Sequence, residues 1–165
     1  MVYDKQHQLL SARIANDGQW RFPSSSKIPP RFETCLLEFE DHYFYNHPGV
    51  NVFSILKAFY RNISTNKKKV GGSTITMQLV RISRENPGRT YYEKVIELVI
   101  ALRLEMAFSK QEILQYYANN APFGGNVVGL EAASWRYFGR SPHQLSWAES
   151  AMLAVLPNAP SLIYP

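Results

Sequence analysis

From Pro30 onward the sequence predicts a mainly α domain, and three observations carry that reading. Apolar residues recur at helical spacing, no later segment alternates as a strand would, and three helix-start signals pair a hydroxyl with a glutamate three residues on: Thr90 with Glu93, Ser109 with Glu112, Ser146 with Glu149. The residues before Pro30 read differently. Val2-Tyr3-Asp4, Leu9 to Ile14 and Gln19 to Phe22 read as short strands, with Asn16-Asp17-Gly18 as a turn between two of them. Pro23, a serine run and Pro29-Pro30 then end regular structure. The chain thus divides into a linker or β-hairpin over residues 1–29 and a domain over residues 30–165.

Within the domain, Pro30 suits the first turn of a helix on which Phe32, Leu36, Leu37 and Glu40 share one side. Val52, Ile55, Leu56, Phe59, Tyr60 and Ile63 follow at helical spacing, opposite Ser54, Lys57, Arg61 and Asn62, with Lys67-Lys68-Lys69 directly after. The pattern alone fits either a core-packing helix with a solvated basic loop or an amphipathic element on an anionic membrane. The helix from about Thr90 to Ala107 carries Val95, Ile96, Leu98, Val99, Ile100, Ala101, Leu102 and Leu104. An apolar surface nearly all round predicts burial in the core, against which Lys94 and Glu97 stand out.

Composition bounds the function. A chain of 165 residues with 45% hydrophobic residues forms one compact domain and is not disordered. A net charge of +5 admits an anionic partner, whether phosphate, nucleic acid or an acidic membrane. No nucleic-acid recognition motif accompanies it, so nucleic acid is not expected. Cys35 is the only cysteine, which excludes an intramolecular disulfide. No uninterrupted apolar run reaches transmembrane length and no signal peptide opens the chain. The four histidines are scattered without ligand spacing, so no metal site is expected.

Glu40-Asp41-His42-Tyr43-Phe44-Tyr45-Asn46-His47-Pro48-Gly49 resembles the first signature of the peptidoglycan glycosyltransferases, E-D-x-x-F-x-x-H-x-G. Gly71-Gly72-Ser73-Thr74-Ile75-Thr76-Met77-Gln78 resembles the second, Lys94 to Glu97 the K-x-x-E end of the third, Lys110 to Asn119 the fourth, and Gly129 to Ala133 with Tyr137-Phe138-Gly139 the fifth. The five stand in family order. Gly18 to Pro23, Met77 and Ala121 to Gly125 resemble, within the class A penicillin-binding proteins, the 1C branch. In that branch a membrane anchor precedes this domain and a transpeptidase follows it. Neither stands in the sequence, so the chain is expected to be an excised glycosyltransferase domain.

The resemblance implies a lysozyme-like glycosyltransferase fold, mainly α, with a head lobe and a small membrane-facing jaw over about residues 50–70. It implies polymerisation of lipid II onto a growing lipid-linked glycan, with release of undecaprenyl pyrophosphate, at the extracytoplasmic (periplasmic) face of the bacterial cytoplasmic membrane, alongside cell-wall synthesis partner proteins. Glu40 would be the general base for the attacking hydroxyl. Glu97 would orient the basic residues and the sugar, Arg81, Arg89 and Lys94 would meet the pyrophosphate, and Asp41, Ser73, Thr74 and Gln78 would contact substrate. Gly72, beside Gly71, would let the backbone approach the ligand closely. His47 would brace the loop after Glu40. No cofactor is required, although a pyrophosphate substrate admits a divalent cation (Mg or Mn).

Four positions depart from the family pattern. Met77 stands for a glutamine and takes an amide from the expected site, Glu93 stands for an arginine and lowers local positive charge, Ala118 stands for a leucine and Val128 for a tyrosine. A lysozyme-like glycan-cleaving enzyme would also set a glutamate on an α scaffold, but cleavage releases no pyrophosphate and leaves the basic positions unused. A catalytically weak module that binds lipid-linked precursors is the reading the first two departures favour.

Overall fold

The computed structural model describes residues 2–3, 5, 9–12, 14, 16, 18–23, 27–51, 55, 72–85, 88 and 90–158. It is mostly helical, as expected, and divides into two compact units: Met1–Glu40 with Gln115–Pro165, and Asp41–Leu114. Most of the stretch 50–70, with its amphipathic pattern and lysine run, lies outside the described residues, as do Gly71 and Arg89.

The first unit is built on α1 (Pro30–Glu40) packed against α6 (Trp147–Val155). Proline starts α1 without losing a bond, because the first-turn amides lack helical partners anyway. Phe32 and Leu36, one turn apart, are fully buried, and the Phe32 ring meets that of Phe123 at 6.2 Å. Arg31 ties the same helix to the loop before α6 by donating to the Leu145 carbonyl at 2.8 Å. Ser146 and Glu149 form the full reciprocal cap that starts α6. Between them run the second part of α4 (Lys110–Asn120) and α5 (Leu130–Phe138), whose buried Tyr117, Ala118, Leu130 and Ala133 complete the core. Ala118, and Val128 beside α5, are thus packing positions.

The N-terminal strands pair otherwise than expected. β1 (Val2–Tyr3) and β2 (Leu9–Ser11) form an antiparallel pair, but β3 (Trp20–Arg21) pairs in parallel with β4 (Val127–Val128), a strand the sequence reading missed. A two-residue strand carries too little alternation to be read locally. Its partner is fixed by tertiary bonds: Trp20 N–H donates to the Asn126 carbonyl and the Asn126 side chain to the Gly18 carbonyl, both at 2.8 Å.

Gly129 joins β4 to α5 at φ +88°, and a β-carbon there would lie 2.7 Å from the Asn119 carbonyl oxygen. Both the backbone region and the space require glycine. Gly129→Ala is expected to cost about 3 kcal/mol or more, a backbone penalty plus a clash with a helix end that cannot yield; a thermal melt measures it.

The second unit centres on two antiparallel helices, α2 (Ile75–Ser83) and α3 (Tyr91–Ala107). Met77, Val80 and Ala101 form its apolar core, with Val50, Leu98, Ile100 and Leu104 packed around them. Met77 is therefore a core residue, and its departure is a packing choice instead of an amide lost from the site. The expected burial of α3 is corrected more strongly: only Glu97 and Ala101 are buried along it. Tyr92, Val95, Val99, Leu102 and Met106, spaced three and four apart, form an exposed apolar row. Apolar composition all round shows that a helix lacks a polar face, not that protein covers every face.

Candidate active site

In the second unit the cluster begins with Glu97, buried on α3 at 4% exposure. Arg81, one helix away on α2, grips it with a two-bond fork: Nε to Oε1 at 2.6 Å and Nη2 to Oε2 at 3.0 Å. Lys94, one turn before Glu97, donates to Oε2 at 2.9 Å and to the Ser73 hydroxyl at 2.7 Å. Burial opposes ionisation of Glu97, but the hydrogen bonds and charges of Arg81 and Lys94 outweigh it and hold the carboxyl below the usual glutamate value. Glu97 is thus an ionised anchor on which two cations converge, and one of them, Lys94, also donates to the Ser73 hydroxyl.

Glu93 continues this arrangement. Its carboxylate pairs with Arg84, the residue that caps the C-terminus of α2, so the charge that stands where the family pattern has arginine is neutralised locally. That pairing also leaves the cap at Thr90 half-formed: Thr90 Oγ1 accepts from the Glu93 amide at 3.1 Å, while the Glu93 side chain turns elsewhere. At Ser109 the box closes both ways, because the Glu112 carboxylate returns to the Ser109 amide at 2.7 Å.

Asp41 and Thr74 are both buried, and their polar atoms are taken up within the unit. His47 Nε2–H donates to the two Asp41 oxygens at 2.9 and 3.1 Å, and the Ile75 amide at the start of α2 donates to Oδ2 at 3.1 Å. Thr74 caps α2 by accepting from the Met77 amide at 3.2 Å and donates to the Gly49 carbonyl at 2.5 Å. His47 therefore braces the loop, and the Asp41 and Thr74 side chains are buried and hydrogen-bonded within the unit. Gly72 and Gln78 are half-buried.

Glu40, at the C-terminus of α1, belongs to the first unit and is half-buried. The Asn158 side-chain amide donates to its Oε1. Tyr117, buried on α4, has its phenol pushed far up by burial and then by the negative charge of Glu40. A carboxylate at the end of a helix, accepting from an amide and set near a phenol that burial keeps protonated, can accept a proton. The sequence reading missed Asn158, which lies 118 residues from Glu40, and no local pattern would have marked it. Among the described residues no group of three or more His, Cys, Asp or Glu side chains could hold a metal ion.

The described residues are mainly α, with a half-buried glutamate ending α1 in one unit and, in the other, Arg81 and Lys94 gathered on the buried Glu97. The chain belongs to the transglycosylase family, whose model matches residues 7–165. It is 47% identical over 150 residues to penicillin-binding protein 1C of Escherichia coli (strain K12), covering 90% of this chain and 19% of that protein. It is 36% identical over 168 residues to penicillin-binding protein 1A of Clostridium tetani, covering 99% and 21%, and 38% identical over 142 residues to penicillin-binding protein 1F of Bacillus subtilis, covering 86% and 20%. The chain spans about a fifth of the length of these curated relatives. The sequence resemblance to the glycosyltransferase domain of class A penicillin-binding proteins is borne out.

Proposed function

We propose that this chain is a peptidoglycan glycosyltransferase that polymerises lipid II into glycan strands. The 4-hydroxyl of lipid II attacks the anomeric carbon of the growing glycan with inversion. The new bond joins that oxygen to carbon, the bond to undecaprenyl pyrophosphate breaks, and Glu40 takes the hydroxyl proton. The observation that carries the reading is the Arg81–Glu97–Lys94–Ser73 cluster. A departing pyrophosphate needs fixed cations and hydrogen-bond donors that do not have to reorganise as charge develops. Glu97 supplies that fixity by holding the guanidinium and the ammonium in place. Arg89, by resemblance, adds a further cation. The reaction needs no cofactor, and a divalent cation that takes part enters with the pyrophosphate of the substrate.

Purified chain incubated with labelled lipid II in detergent should yield a ladder of glycan chains on size separation. Bound lipid II with no ladder would favour a precursor-binding module instead.

We place the domain at the extracytoplasmic face of the bacterial membrane, where its lipid-linked substrate is held. No helix among the described residues is long and apolar enough to cross a membrane. The exposed row on α3 supports a peripheral contact, since an apolar patch of that length is unusual against water. Val99→Glu with Leu102→Glu should reduce co-sedimentation with phosphatidylglycerol vesicles about tenfold, the cost of setting two charges into an apolar contact. Unchanged sedimentation would turn that face away from lipid.

A further inference from the structure

Thr76, Glu105 and Lys110 form a second, partly buried polar group in the same unit, which the proposed reaction leaves unused. Glu105 lies on α3 two turns beyond Glu97, and its side chain is 8% exposed. It accepts from Thr76 Oγ1 of α2 at 2.5 Å and from Lys110 Nζ at 2.9 Å. Lys110, at the start of α4, also donates to the His47 carbonyl at 2.7 Å and sets its ammonium 4.4 Å from the centre of the Phe44 ring. The Glu105 stem runs over Gly49, where a β-carbon would lie 2.7 Å from Cγ and where φ is +83°. This one ion pair therefore touches α2, α3, α4 and the loop from Asp41 to Val50.

Along the antiparallel pair α2 and α3, three polar cross-links follow in order: Thr76 to Glu105, Arg81 to Glu97, Arg84 to Glu93. The middle one is the proposed pyrophosphate cluster. The first fixes the end of α2 that begins at Thr74, directly after the Ser73 whose hydroxyl meets Lys94. A buried ion pair is weak evidence for stability, because desolvating both charges offsets most of their attraction. What it does supply is a single geometry for the elements it joins.

We propose that Lys110 and Glu105 are positioning residues for glycosyl transfer, holding the Asp41–Val50 loop and the Ser73–Thr74 end of α2 in register with Lys94 and Glu97. The proposal rests on the glycosyltransferase reading above.

The test compares Lys110→Met, Lys110→Arg and Thr76→Val with wild type and Glu40→Gln in lipid II turnover, lipid II affinity and thermal unfolding. Lys110→Met leaves the Glu105 carboxylate without its counter-charge and should lower the melting temperature. Below that transition it should bind lipid II within about threefold while kcat falls about 30-fold, because a misplacement near an ångström costs rate before it costs affinity. Lys110→Arg, which still donates to both the carbonyl and the carboxylate, should regain most of that loss. Thr76→Val, nearly isosteric, should lower kcat about fivefold through a single lost hydrogen bond, equivalent to about 1 kcal/mol. Wild-type kcat in Lys110→Met, or a loss confined to KM, overturns the proposal. If Lys110→Met does not fold, Thr76→Val decides, and wild-type kcat there overturns it equally. Polymerisation by Glu40→Gln would sink the assignment of the base whatever the Lys110 variants do.

Discussion

Glu40→Gln is expected to lower lipid II turnover by about a thousandfold while leaving lipid II affinity within a few-fold of wild type, since losing a positioned general base costs 10² to 10⁴. The substitution keeps the shape of the side chain. It also keeps an oxygen to accept the Asn158 amide, so the end of α1 should hold its place. What it removes is the carboxylate's negative charge, and with it the basicity that takes the proton as the sugar hydroxyl attacks. Tyr117 does not offer a substitute base: burial first, and the charge of Glu40 second, keep its phenol protonated across the physiological range. Single-turnover glycan extension with labelled lipid II separates binding from chemistry here. Turnover near wild type would remove Glu40 from the role of base, and loss of affinity without loss of maximal rate would recast it as a binding contact.

How much of this was legible in the sequence depends on distance along the chain. Local rules gave α1 its start at Pro30, gave α3 its extent to Ala107, and gave the caps at Ser109 and Ser146 both of their bonds. They failed where a residue's partner lies on another element. The box at Thr90 is half-formed because Arg84, nine residues back, takes the Glu93 carboxylate. Met77 lies in the motif as a polar-site position but turns inward to Val80 and Ala101. β3 is a strand only because β4, more than a hundred residues later, lies beside it. The roles of Glu105 and Lys110 were hidden for the same reason: each is an ordinary helix-end charge until Thr76, His47 and Gly49 are seen around them. The i, i+3 pair Lys94 and Glu97 was readable on α3, and the 16-residue reach of Arg81 to the same carboxylate was not.

That shared carboxylate carries the second large effect. In Glu97→Gln the Arg81 fork loses one charged partner oxygen and Lys94 loses its counter-charge, so both cations become free to turn toward water. Polymerisation should fall about 100-fold, as when one preorganised electrostatic group is removed from a site that stabilises developing charge. Stability should fall by about 2 to 3 kcal/mol, less than for a fully buried pair, because Arg81 and Lys94 are 19% and 34% exposed and recover part of their hydration. The pH dependence separates charge from packing. The Glu97 carboxyl is held below its ordinary value of 4.5 in the folded chain, so its stabilisation is complete above that value and is lost as pH falls through the folded value. The difference in unfolding free energy between wild type and Glu97→Gln should therefore be constant at neutral pH and shrink in denaturant titrations taken below about pH 4. A difference that holds its full size in acid would mean that Glu97 fills space in the helix pair. In that case the cations would owe their positions to the outer cross-links at Glu93 and Glu105 instead.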